Sequence, residues 1–297
     1  MNYPEKIILT EVGPRDGLQS VSDPISTKHK LSMINGLVDA GIKQIQVASF
    51  VHPKWVPQMA DAEEICAQLP EIGDVIFSGL ALNNRGVERA IESNLQRVEV
   101  SISTSETHSK KNANMTLDEA MSNMESMIQL AQNNGLEVRA GLQAVWGCVY
   151  DGSPPIERIV NMSKSILNLG VGTLSLSDST GMGNPNTIKK ILDQILPLAG
   201  ETPIVLHLHD TRGLGLANVV AALNMGIKQF DSALGGIGGC PFIKGATGNI
   251  ATEDTVHLIH EMGYDTGIDI QKVSAVSQSL APVIGDSYFS GKLYNIS

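Results

Sequence analysis

Cysteine is scarce in this chain. Cys66, Cys148 and Cys240 are the only three in 297 residues, and no two form a C-x-x-C pair. An odd, scattered set argues against a disulfide framework. Thiols that stay reduced fit the cytoplasm. Long apolar runs are also missing, so no segment approaches the length of a membrane span. Residues 1–6 carry two charges and no apolar core, which excludes a secretory signal there. Positive charge is in deficit: 21 Lys and Arg against 31 Asp and Glu give a net charge of -10. That balance speaks against nucleic-acid or membrane partners, while leaving room for a local basic patch around a phosphorylated ligand. No linker or low-complexity run interrupts the chain, so one domain over 1–297 is expected.

What is present is a regular alternation. Short β-rich runs occupy 6–11, 44–48, 75–81, 97–102, 137–145, 173–177, 204–209 and 229–233. Helical patterns lie between them, among others at 27–40, 117–133, 155–169, 187–196, 216–225 and 252–262. Thr116 with Glu119 makes a capping box ahead of one helix. Gly41, Gly135, Gly170, Gly226 and Gly263 each follow a helical run, where a left-handed cap favours glycine. Eight strand–helix units imply a parallel sheet, and eight close naturally into a (β/α)8 TIM barrel. An open doubly wound sheet is the alternative, but no G-x-G-x-x-G follows the first strand. The barrel should span about 5–265, with a C-terminal helical extension over about 266–297 covering it.

A barrel puts catalytic residues at the carboxyl ends of its strands. Arg15 and Asp16 follow the first strand, Gln46 and Ser49 belong to the second, Asp178 follows the sixth, and His207 and His209 sit on the seventh. Alternate strand residues share a face, so the two imidazoles project together. With the Asp16 carboxylate they suit a divalent metal, Mg²⁺ or Mn²⁺, with Zn²⁺ or Co²⁺ as substitutes in vitro. Asn249 is either a further ligand or an ordinary residue near a helix start. Arg15 is either half of a surface ion pair or a fixed cation for a developing oxyanion. Cys240 follows four glycines in five residues, so its thiol is either a mobile acid or nucleophile or a buried, inert group. Cys66 reads as buried in a helix. Lys110, Lys111 and Asn112, in the loop after the fourth strand, are a solvated charge run or a grip for phosphates.

Several segments resemble 3-hydroxy-3-methylglutaryl-CoA lyases. They are Val12-Gly13-Pro14-Arg15-Asp16-Gly17-Leu18-Gln19, Ser49 through Gln58, His207-Leu208-His209-Asp210-Thr211 with Ala217-Asn218, and Gly236 through Asp254. The resemblance covers essentially the whole chain. It implies cleavage of an acyl-CoA thioester into acetyl-CoA and acetoacetate, with Asp16, His207, His209 and Asn249 holding the metal. A base, either Asp16 or a water on the metal, would take the tertiary alcohol's proton. Arg15 would stabilise the enolate and Cys240 would protonate it. Glu253 and Asp178 would support the pocket, and Gln19, Gln46 and Ser49 would border the substrate. Lys110, Lys111 and Asn112 would stand at the coenzyme A entrance. The resemblance further implies a homodimer and a place in leucine breakdown.

Some positions depart from that pattern. Gln46 stands where the family usually carries Glu, and Ser20-Val21 where it carries Asn-Glu. The Leu142–Cys148 stretch and Arg212 are unusual too. These changes bear on substrate more than on reaction type. Citramalyl-CoA is an alternative substrate, a Claisen-type synthase of the same superfamily is an alternative enzyme, and a non-catalytic CoA- or metal-binding barrel is a third reading.

Overall fold

A computed structural model describes residues 5–239 and 248–296. Eight strands, β1 (Ile8–Glu11), β2 (Gln44–Ser49), β3 (Ile76–Ala81), β4 (Arg97–Ser103), β5 (Glu137–Gln143), β6 (Thr173–Asp178), β7 (Ile204–Leu208) and β8 (Gln229–Ser232), pair in sequence order. Every pairing is parallel, and β8 returns to β1, so the sheet closes into a barrel. The expected TIM barrel is therefore the observed fold. Ten helices surround it among the described residues. They are α1 (Thr27–Asp39), α2 (Ala62–Cys66), α3 (Asn84–Glu92), α4 (Glu106–Ala113), α5 (Leu117–Asn133), α6 (Ile156–Asn168), α7 (Pro185–Ala199), α8 (Gly215–Leu223), α9 (Thr252–Glu261) and α10 (Ile270–Ile284).

Local chemistry accounts for most boundaries. The Thr116–Glu119 capping box forms and opens α5. The five glycines read as helix stops all adopt positive φ, between 71° and 94°. One expectation fails: Lys110, Lys111 and Asn112 lie within α4, not in a loop. Ser105 opens that helix by accepting a hydrogen bond from the His108 amide, a cap signal the charge run obscures. His209 falls one residue past β7, where it makes an isolated bridge to Asn249.

Outward strand residues such as Val98, Val100, Val138 and Leu174 bury against the helices. The barrel interior departs from the usual filling of branched aliphatics. Thr10, Gln44 and Arg97 meet near the amino end of the strands. Above them Ser78, Glu99, Arg139, Ser175 and Asp231 form a hydrogen-bonded and ion-paired layer. This polar column leads directly to the mouth.

Candidate active site

The chain leaves β1 in a single π-helical turn, Gly13–Gly17. The amides of Arg15, Asp16 and Gly17 all point at the carbonyl of Val12, at 3.1, 2.7 and 3.3 Å. The turn is tight because glycine stands at both ends. A Cβ at Gly13 would lie 2.3 Å from Leu234, and one at Gly17 2.5 Å from Ile237. Arg15 and Asp16 are thereby set side by side, with Arg15 Nη1 2.6 Å from Asp16 Oδ1. Arg15 Nε donates to Gln46 Oε1, which fixes the guanidinium from a second strand.

Asp16, His207 and His209 each offer a ligand atom, and these atoms lie within 4.8 Å of one another. His207 Nε2 and His209 Nε2 face each other at 3.0 Å. His207 Nδ1 lies 3.0 Å from Asp231 Oδ2, an acceptor that in the neutral ring leaves the lone pair on Nε2. Burial, with His207 and Arg15 nearby, pushes His209 down to about 3, against the pull of Asp16. The His209 ring, held neutral, has a lone pair ready for a cation. Burial raises the Asp16 carboxyl, but Arg15, the two histidines and the Asn249 amide outweigh it and hold it well below the carboxylate range. Asn249 Nδ2 donates to Asp16 Oδ2 at 2.9 Å and to the Ile237 carbonyl at 3.2 Å. Its Oδ1 is buried with no hydrogen-bond partner. An orphaned carbonyl oxygen beside a carboxylate and two facing imidazole nitrogens is a donor set that fits a divalent cation.

A cavity of about 800 Å³ opens over these groups. Arg15, Asp16, Gln19, His207 and His209 line its floor and side, and Lys111 and Asn112 line it from α4. Lys111 Nζ sits 4.2 Å from the Tyr150 ring centre, and Asn112 Nδ2 lies 3.0 Å from His108 Nε2. Leu80, Ile102, Met115 and Met127 give one wall an apolar character, and Trp55, 74% exposed, stands at the rim.

The structure places several expected residues elsewhere. Glu253 does not line the cavity; its carboxylate accepts from Gly235 N at 2.7 Å and Ser277 Oγ at 2.5 Å, tying the β8 loop to α10. Asp178 accepts from the Met182 and Gly183 amides, both at 2.9 Å, and shapes the loop after β6. Burial pushes Asp178 up to about 6. Ser49 is buried with its hydroxyl unpartnered. Gln46 reaches the site only through Arg15. Lys110 is exposed on α4 and directs Nζ to the Asn114 carbonyl. Cys66 is buried as expected, and burial lifts its thiol to about 12. Cys148 is buried as well. Arg212 donates to the Thr180 carbonyl. Cys240 lies outside the described residues. Sequence reasoning missed Glu99, Arg139 and Asp231. The signal was available, since each is a charge inside a strand run otherwise rich in Val, Ala and Phe.

Comparison with known proteins agrees with this geometry. Residues 6–280 match the family model described as HMGL-like. Hydroxymethylglutaryl-CoA lyase YngG of Bacillus subtilis is 39% identical over 96% of this chain and 95% of its own length. The 3-hydroxy-3-isohexenylglutaryl-CoA/hydroxy-methylglutaryl-CoA lyase of Pseudomonas aeruginosa is 36% identical over 97% of this chain and 96% of its own. A crystal structure of the Bacillus subtilis HMG-CoA lyase superposes with a TM-score of 0.94 at 37% identity, covering 100% of this chain and 99% of that one. Likeness at this level runs through the β1 turn, the histidine strand and the closing helices together, and the chain belongs to the HMGL-like family of hydroxymethylglutaryl-CoA lyases.

Proposed function

We propose that this protein cleaves 3-hydroxy-3-methylglutaryl-CoA to acetyl-CoA and acetoacetate. The observation that carries the reading is the Asp16–His207–His209 cluster at the barrel mouth, with Arg15 fixed beside it. Asp16, His207, His209 and Asn249 would hold Mg²⁺ or Mn²⁺. A cation there supplies Lewis-acid polarisation of the substrate's hydroxyl and carboxylate. The residues of the chain do the rest. Asp16, held low chiefly by the Arg15 cation, is a weak base, which favours a water in the cavity as acceptor of the hydroxyl proton. The carbon–carbon bond breaks, acetoacetate departs as the ketone, and the thioester half carries the electron pair as an enolate. Arg15, clamped by Asp16 and Gln46, presents a fixed cation to that charge. Cys240 is the proposed proton donor to the enolate carbon, which completes acetyl-CoA. Lys111 and Asn112 would meet the coenzyme A portion at the rim. By the same resemblance the protein would act as a homodimer in leucine breakdown, and its few scattered thiols fit the cytoplasm.

A second reading is favoured by the apolar wall of Leu80, Ile102, Met115 and Met127. A related 3-hydroxyacyl-CoA with a bulkier group on C3 would bury that group there. Purified protein with Mg²⁺ should release acetyl-CoA from 3-hydroxy-3-methylglutaryl-CoA at more than about one turnover per second, and His207→Ala should lose it. Release of acetyl-CoA only from a larger or differently branched substrate would move the assignment to the second reading. Release that persists unchanged in His207→Ala refutes both.

A further inference from the structure

We propose that Asp231 is the positioning residue for His207, and that the buried chain Ser78–Glu99–Arg139–Asp231 exists to hold it in register. The inference rests on the metal reading above. Five strands contribute. Ser78 Oγ on β3 donates to Glu99 Oε1 on β4 at 2.6 Å. Arg139 on β5 places Nε 3.5 Å from Glu99 Oε2, and its Nη2 donates to Asp231 Oδ2 on β8. Asp231 Oδ2 meets His207 Nδ1 on β7 at 3.0 Å. The side chains of Glu99, Arg139 and Asp231 are between 2% and 9% exposed. The register makes the arrangement unavoidable: Glu99 pairs with Arg139 across β4–β5, and His207 with Asp231 across β7–β8, so both pairs point inward at neighbouring levels.

The chemistry follows from one shared oxygen. A carboxylate oxygen only accepts, so His207 must donate from Nδ1, and the neutral tautomer so selected is the one with its lone pair on Nε2. The ring that would ligate a cation is thus fixed in tautomer and in rotation from behind. Arg139 keeps that oxygen in place and charged. Its Nη1 and the far oxygen Asp231 Oδ1 have no hydrogen-bond partner, so the layer is not arranged to satisfy every atom. Buried ion pairs are poor stabilisers against an apolar core of equal volume. Holding a histidine that binds metal is a use for which such outer partners are suited, and losing one weakens metal affinity by about 10- to 100-fold.

The test compares wild type, His207→Ala and Asp231→Asn as full-length proteins. Mn²⁺ affinity is read by electron paramagnetic resonance and calorimetry, and folding by circular dichroism and Tm. The Asp231→Asn change keeps the shape but offers an amide that also donates, which frees the His207 tautomer. The expected result is Mn²⁺ binding about 10- to 100-fold weaker in Asp231→Asn, with native circular dichroism. A lowered Tm with wild-type Mn²⁺ affinity would mean a structural role alone and overturn the inference. If His207→Ala retains wild-type affinity, the metal reading itself fails, which is a separate outcome. Should Asp231→Asn not fold, the double change Asp231→Asn with Arg139→Gln removes both charges without stranding either, and the same loss of affinity is expected of it.

Discussion

Glu11 gives the sharpest test of how this barrel treats buried charge. It is fully buried on β1, where Oε1 accepts from the Gly13 amide at 2.8 Å and the Leu234 amide at 2.9 Å. Oε2 lies 2.7 Å from Thr252 Oγ1, which is 2.8 Å from Ser232 Oγ. Burial pushes the carboxyl up to about 8 despite those hydrogen bonds, and neighbouring Glu253 adds to the rise. At neutral pH the group is therefore largely protonated, with Oε2–H donating towards Thr252. The unfolded chain releases that proton near pH 4.5, whereas the native state keeps it to about 8. Between those values the native state binds more protons, so stability falls as pH rises, by about 1.4 kcal/mol per pH unit. Over the full window from 4.5 to about 8 the loss is about 5 kcal/mol. Glu11→Gln keeps the shape and donates to Thr252 without titrating. Urea unfolding of both proteins at pH 5, 6, 7 and 8 should show the variant gaining steadily on wild type. A difference that stays flat across that range, or shrinks, means Glu11 is already ionised and refutes the reasoning. Glu11→Ala is expected to behave differently, since it strands two buried amides and costs about 1–3 kcal/mol for each at any pH.

Three further outcomes are expected. Arg15→Met should lower kcat by about 10²- to 10³-fold while leaving Mn²⁺ affinity nearly intact, because in the proposed mechanism the guanidinium serves the enolate and donates nothing to the cation; stopped acetyl-CoA assays and Mn²⁺ titrations separate the two. Lys111→Ala should raise KM for the CoA thioester by about threefold with kcat unchanged, and the effect should shrink at high salt, as screening requires of an exposed charge. Thr116→Ala removes one half of the α5 capping box and should cost about 1 kcal/mol in urea unfolding, with no change in turnover.

The barrel is legible because its signals are local and repeated. Each of the eight strand runs read from composition falls within two residues of the observed strand, and each glycine stop adopts the expected backbone. The candidate metal cluster is legible for a related reason: H-x-H at the end of one strand turns two imidazoles to one face by period, and the barrel rule places Asp16 at the same mouth. What fails is of two kinds. Lys110, Lys111 and Asn112 read as loop because three polar residues hide a helix whose only clear signal is the Ser105 cap. Glu253 and Asp178 are expected from the resemblance to support the pocket, and the sequence does not say by what contacts. In the structure both carboxylates accept backbone amides and hold loops. Sequence cannot tell a carboxylate facing substrate from one facing its own backbone.

That last distinction explains the polar core. Glu11 reaches both the loop carrying Arg15 and Asp16 and the loop after β8, through the Gly13 and Leu234 amides. Glu253 ties Gly235 of that same β8 loop to Ser277 on α10. Asp231 holds His207. Three buried carboxyl groups, none of them in the Asp16–His207–His209 cluster, thus each fix an element that carries a residue of that cluster or leads to Cys240. An apolar filling of the same volume would bury as well or better, since desolvating charge is costly even when it is paired. What apolar groups cannot do is bind a particular amide or a particular ring nitrogen, because their attraction has no direction. Val12, Leu234 and Ile237 pack the mouth loops into the core, but the glycines between them bring no side chains, so directed bonds must fix the backbone there. The polar interior is therefore best understood as the scaffold of the mouth, and substitutions there should disturb metal binding and turnover more than their effect on Tm would suggest.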